Sequence, residues 1–76
     1  MAVTSQNGRR TRIQQENRER ILKAALDMFS RSGYRGTTLD EIAATAGMSK
    51  PNMLYYFRTK QELYQTVLQE TLDDWL

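Results

Sequence analysis

Cysteine and histidine are both absent from this 76-residue chain. Disulfide staples and zinc are thereby excluded as supports, together with any chemistry that needs a thiolate or an imidazole. No apolar run approaches the ~20 residues of a membrane span, and the polar N-terminus lacks the apolar stretch of a secretory signal. The expected location is the cytoplasm, away from any membrane. There is no internal repeat, no low-complexity tract and no alternating pattern long enough for a strand. No paired carboxylates and no nucleophile beside a base stand out, and most carboxylates and lysines fall at caps or on solvent faces. The chain therefore reads as a protein that is not an enzyme and needs neither cofactor nor metal.

Below about 80 residues a lone core supplies only a few kcal/mol, so a chain this short is marginal alone or incomplete. Its net charge is only +2, but the charge is unevenly placed. Residues 1–24 carry Arg9, Arg10, Arg12, Arg18, Arg20 and Lys23 against Glu16 and Glu19, whereas residues 61–76 carry Glu62, Glu70, Asp73 and Asp74 with no base. One end suits a polyanion and the other repels it.

The stretch from Thr38 to Lys60 holds the densest local signals. Thr38 and Glu41 form a capping box, each side chain satisfying a backbone donor that a helix's first turn leaves unpaired, so a helix starts at Leu39. Ala43, Ala44 and Ala46 keep that helix slim enough for a close crossing, and Gly47 offers the left-handed conformation that ends it. Ser49 is the next N-cap, and Pro51 falls in the first turn, where a missing N–H costs nothing. Only about three residues separate the two helices, the spacing of a helix-turn-helix.

Around this unit the sequence predicts two further helices. Apolar residues Ile21, Leu22, Ala25, Leu26, Met28 and Phe29 recur every three or four positions from about Asn17, with an end near Ser32 and Gly33. Thr59 and Glu62 repeat the capping-box pattern and open a stripe of Leu63, Tyr64, Val67, Leu68, Leu72, Trp75 and Leu76. That helix reaches the last residue without a stop signal, so the chain reads as cut. The expected fold is all-α: a small, homeodomain-like helical bundle with a helix-turn-helix and the start of a longer linking helix. The expected divisions are a flexible basic arm over 1–15, too polar to order itself, the helix-turn-helix unit over 16–60, and over 61–76 the start of a connecting helix.

A recognition helix meets DNA with its N-terminal residues at base edges, while neighbouring helix starts offer N–H groups to phosphates. Lys50 can donate to guanine or a phosphate, Asn52 can pair with adenine or a phosphate, Leu54 can touch a thymine methyl, and the Tyr56 hydroxyl suits a phosphate oxygen. Met53 and Phe57, four apart, suit the inward face; Tyr55 can serve either face, with core packing its more ordinary role. Thr38 can cap its helix and also donate to a phosphate. Lys60 opposes the dipole of the helix it begins, a conflict that an arriving anion removes; otherwise it is a solvated surface lysine.

These residues resemble the DNA-binding domain of the tetracycline-repressor (TetR) family of bacterial regulators over about residues 16–76. The resemblance is carried by Ile21-Leu-x-Ala-Ala-x-x-x-Phe29, Gly33-Tyr-x-Gly36-Thr-Thr38, Ile42-Ala43, Ala46-Gly47, Ser49-Lys50, Tyr55-Tyr56-Phe57 and Lys60-x-x-Leu63. It implies phosphate contacts from Thr38, Tyr56 and Lys60, and base or mixed contacts from Ser49, Lys50, Pro51, Asn52 and Leu54. The family usually has tyrosine where this chain has Leu54, which replaces a hydroxyl contact by an apolar one. The string Asn52-Met-Leu-Tyr-Tyr-Phe57 looks like the branch that includes the pyrimidine-utilisation regulator. Asp40 sits where some members place a base-reading residue, although a carboxylate that stabilises the helix dipole is its simpler role. The resemblance further implies a double-stranded DNA operator, a homodimer formed through a C-terminal domain not in this chain, and a small-molecule effector on that domain that releases a repressor. The rival reading is a helical protein-interaction module built on the acidic last helix and its Trp75 end.

Overall fold

The computed structural model describes the backbone of residues 4–75 and the side chains of residues 11–72. Four helices follow one another: α1 Thr4–Ser32, α2 Leu39–Ala46, α3 Lys50–Tyr56 and α4 Lys60–Trp75. Among the described residues there is no strand. The all-α bundle read from the sequence is the fold observed, and the starts of α2, α3 and α4 fall where the capping signals place them.

The N-terminal arm is the main departure. Over residues 4–15 the chain is not an irregular arm but the leading part of α1. Polarity rules out burial, and residues 11–16 are indeed exposed. It does not rule out helix, because extending a helix already nucleated on the core adds a hydrogen bond per residue without a second nucleation cost. Gln and Arg, abundant here, are good helix formers. The side chains of Arg9 and Arg10 lie outside the described residues.

The turn between α2 and α3 is built as its residues dictate. Thr38 Oγ1 accepts the Glu41 N–H at 3.1 Å while the Glu41 carboxylate accepts the Thr38 N–H at 3.0 Å, closing the capping box. Gly47 ends α2 with φ 75°, and the Met48 N–H reaches back to the Ala43 carbonyl at 3.0 Å. Arg20 of α1 donates to the Ala46 carbonyl at 2.9 Å, placing a cation at the negative end of α2. Ser49 Oγ then accepts the Asn52 N–H at 3.2 Å and opens α3. At α4 the second box is only half formed. The Glu62 N–H donates to Thr59 Oγ1, but the Glu62 carboxylate takes the N–H of Arg58, one residue earlier than the motif predicts.

The core gathers Ile21, Ala24, Ala25 and Phe29 from α1, Ile42, Ala43 and Ala46 from α2, Met53 and Phe57 from α3 and its cap, and Leu63 and Val67 from α4. Small alanines on both α1 and α2 let these helices cross closely. Phe29, Tyr34 and Tyr64 form an aromatic triangle with ring centroids 4.9–5.9 Å apart, tying the loop after α1 to α4. The apolar faces read from the sequence are wider than the neighbours that cover them: Leu26, Leu68 and Leu72 stay exposed. The side chains of Trp75 and Leu76 lie outside the described residues.

Candidate nucleic-acid interface

Helix α3 has one buried side and one bare side. Met53 is fully buried and Phe57, four residues on, nearly so, which fixes the inward direction. At 100° per residue, Pro51, Asn52 and Tyr55 then point away from the bundle. All three are exposed, Tyr55 at 70%. Leu54 and Tyr56 sit on the two flanks, half-buried. For the aromatic pair, Tyr55, left open to either face by the sequence, is the outward one, and Tyr56, expected toward DNA, lies on a flank. Tyr56 packs on the core and Tyr55 is the ring offered to solvent, the two meeting edge to face at 5.2 Å. Tyr55 is thus the residue missed on the candidate surface. Counting turns from Met53 would have found it.

Side chains tie the first turns of α2, α3 and α4 together. Asp40, in the first turn of α2, lies 3.5 Å from Lys50, the first residue of α3. Lys60, the first residue of α4, donates to the carbonyls of Thr37 at 2.9 Å and Tyr34 at 2.7 Å, just ahead of the α2 cap. Its ammonium also stands 4.4 Å from the centre of the Tyr34 ring. Lys60 is therefore neither an idle surface lysine nor a cation waiting for an anion to resolve a conflict. It staples the loop before α2 to the start of α4, and one of its three N–H donors remains for an outside acceptor.

The other candidates differ in readiness. The Thr38 hydroxyl is occupied twice by Glu41, accepting its N–H and donating to its carboxylate at 3.2 Å, so donation to a phosphate requires it to turn from Glu41. Ser49 uses its oxygen as a cap, which leaves the hydroxyl proton for an outside acceptor. The Lys50–Asp40 pair is largely in solvent and weakly held, so Lys50 can change partners at little cost. The Tyr56 hydroxyl accepts from the side-chain amide of Asn17 at 3.2 Å. Beside it, Thr11, Gln14, Gln15 and Arg18 of α1 line an open hollow with Tyr55 and Tyr56. The leading part of α1 thus flanks the bare side of α3, a juxtaposition that sequence spacing alone could not give.

Among the described residues, no group of three or more metal-ligating acidic side chains comes together, and no helix is long and apolar enough to cross a membrane. A short second helix turned across a first by a glycine, with its outer face bare and helix starts gathered around it, defines a helix-turn-helix domain.

Comparison with known proteins carries the assignment further. Residues 21–67 match the sequence model of bacterial regulatory proteins of the tetR family. The chain belongs to that family. It is 51% identical over 69 residues to the HTH-type transcriptional regulator RutR of Escherichia coli (strain K12), a match that covers 91% of this chain and 32% of the relative. RutR is the pyrimidine-utilisation regulator, which agrees with the branch suggested by the string from Asn52 to Phe57. The HTH-type transcriptional activator FasR of Mycolicibacterium smegmatis is 44% identical over 59 residues, covering 78% of this chain and 27% of the relative. A crystal structure of an HlyIIR mutant protein superposes with a TM-score of 0.73 at 38% identity, covering 75% of this chain and 31% of the other. The chain spans about a third of the length of these relatives.

Proposed function

We propose that this chain is the DNA-binding part of a sequence-specific transcriptional regulator, with α3 lying in a major groove. The observation that carries the reading is the bare face of α3, where Pro51, Asn52 and Tyr55 point outward between helix starts that can hold phosphates. Asn52 and Leu54 read base edges, Asn52 through its amide and Leu54 through a thymine methyl, with Ser49, Lys50 and Pro51 making base or mixed contacts. Thr38, Tyr56 and Lys60 hold the backbone on either side.

Residues 16–60 form the DNA-binding unit, and 61–76 begin a helix that connects it to a larger domain. That domain joins two copies and binds a small effector, whose binding releases a repressor from its operator in the cytoplasm. Family membership supports this part of the reading; relatives include both activators and negative regulators. The rival reading, a protein-interaction module, draws on the exposed Leu68 and Leu72 of α4. Salt separates the two, since contact with phosphates makes affinity fall steeply with salt and an apolar groove does not.

Selection of bound duplexes from random DNA by the full-length protein tests the reading. The expected product is a two-fold symmetric site. Asn52→Ala and Leu54→Ala should each alter the bases preferred at one or two positions per half-site, by about 1–3 kcal/mol for the amide. An equal loss on every sequence contradicts base reading by α3.

A further inference from the structure

Among the described residues, one hydrogen bond joins the side chains of α1 and α3: Asn17 Nδ2 donates to the Tyr56 hydroxyl at 3.2 Å. A phenolic oxygen both donates and accepts, so a tyrosine on a surface can meet a partner in either sense. Here the lone pair facing α1 is filled by an amide that can only donate from that atom. The Tyr56 ring is half-buried against the core, which restricts the hydroxyl to this neighbourhood. Its proton must then point away from the Asn17 amide, and an open hollow lined by Gln14, Gln15, Arg18 and Tyr55 lies beside the ring. An oxygen that already accepts a hydrogen bond is also polarised into a better donor.

We infer that Asn17 is a positioning residue for DNA binding: it fixes the Tyr56 hydroxyl as an outward donor to a phosphodiester oxygen. The inference rests on the proposed phosphate contact of Tyr56 and adds a role for α1 that no base contact requires. Asn17 touches no DNA in this arrangement. It acts through the hydroxyl alone, so its effect vanishes when the hydroxyl is removed.

A double-mutant cycle on the full-length protein tests it, with a duplex recovered by selection with the wild-type protein and a scrambled duplex of the same length. Tyr56→Phe should weaken binding to both about tenfold, the loss of one hydrogen bond to a charged acceptor. Asn17→Leu should weaken both about threefold when Tyr56 is present and have no effect when it is combined with Tyr56→Phe. Asn17→Asp, close in shape, replaces the donors by acceptors that capture the phenolic proton. It should cost more than Asn17→Leu, and the part beyond simple charge repulsion should again vanish once the phenolic oxygen is gone. Because no cation is removed, the salt slope for Asn17→Leu and Tyr56→Phe should match the wild type, as should base preference. A merely structural role for Asn17 would lower affinity alike with and without the hydroxyl, and that result overturns the inference. If Tyr56→Phe binds as the wild type does, the phosphate role of Tyr56 fails first, and the positioning role with it.

Discussion

Lys60→Met is expected to weaken binding to every duplex sequence to a similar degree, to lower the slope of log Kd against log salt by about one unit, and to cost the fold about 2 kcal/mol. The two losses have one origin. The ammonium is held by the Tyr34 and Thr37 carbonyls and by the Tyr34 ring, so its charge is fixed at the start of α4 before any DNA arrives. A preplaced cation loses little side-chain entropy on meeting a phosphate. The same contacts hold the loop that leads into the α2 cap, and methionine can fill the space but donate nothing. Thermal unfolding and a salt titration read the two effects separately. Binding that falls on one sequence and not on another would place Lys60 at a base edge instead.

Gly36→Ala should be the most destabilising small substitution in the loop, about 3 kcal/mol, with a fall in Tm of more than ~10 °C for a domain of this size. A Cβ at Gly36 would overlap the Ser32 carbonyl oxygen, which is backbone at the end of α1 and cannot swing aside. The loop cannot move away either, because the next residue, Thr37, is fully buried with its hydroxyl directed to the Met28 and Gly33 carbonyls. Gly47→Ala makes the informative contrast. It places a side chain at φ 75°, at a cost of about 1–2 kcal/mol, but its nearest neighbour is the Arg20 guanidinium at 3.0 Å, a side-chain tip that need shift only slightly on its bond to the Ala46 carbonyl. A larger loss from Gly47→Ala than from Gly36→Ala would show that close approach of the backbone is not what this loop depends on.

The parts of the fold governed by local chemistry were legible in the sequence. Thr38 with Glu41, Gly47, Ser49 and Thr59 each carry a capping preference that acts within four residues, and the three later helices start where these side chains put them. The polar length of α1 was not legible, since composition speaks to burial and Gln or Arg is as content in a solvated helix as in a coil. Nor was the second duty of Lys60. Its carbonyl partners are 23 and 26 residues away, a separation at which no spacing rule operates. Tyr55 and Tyr56 lie between. Their facing follows from the inward Met53 by simple rotation: Tyr55, two residues on, points away from the bundle, and Tyr56, three residues on, turns back to its flank. The link from Asn17 to Tyr56 spans 39 residues, a separation set by the packing of the whole bundle and by no local rule.

The central claim is that the outer face of α3 meets base edges, and a photo-crosslinking side chain at the most exposed ring tests it most directly. With such a group in place of Tyr55 in the full-length protein bound to its selected duplex, irradiation should attach the protein to nucleotides within the half-site. The same group in place of Leu68, an exposed apolar residue of α4, should give none. DNA adducts from position 68 with none from position 55 would contradict the placement of α3 in the groove.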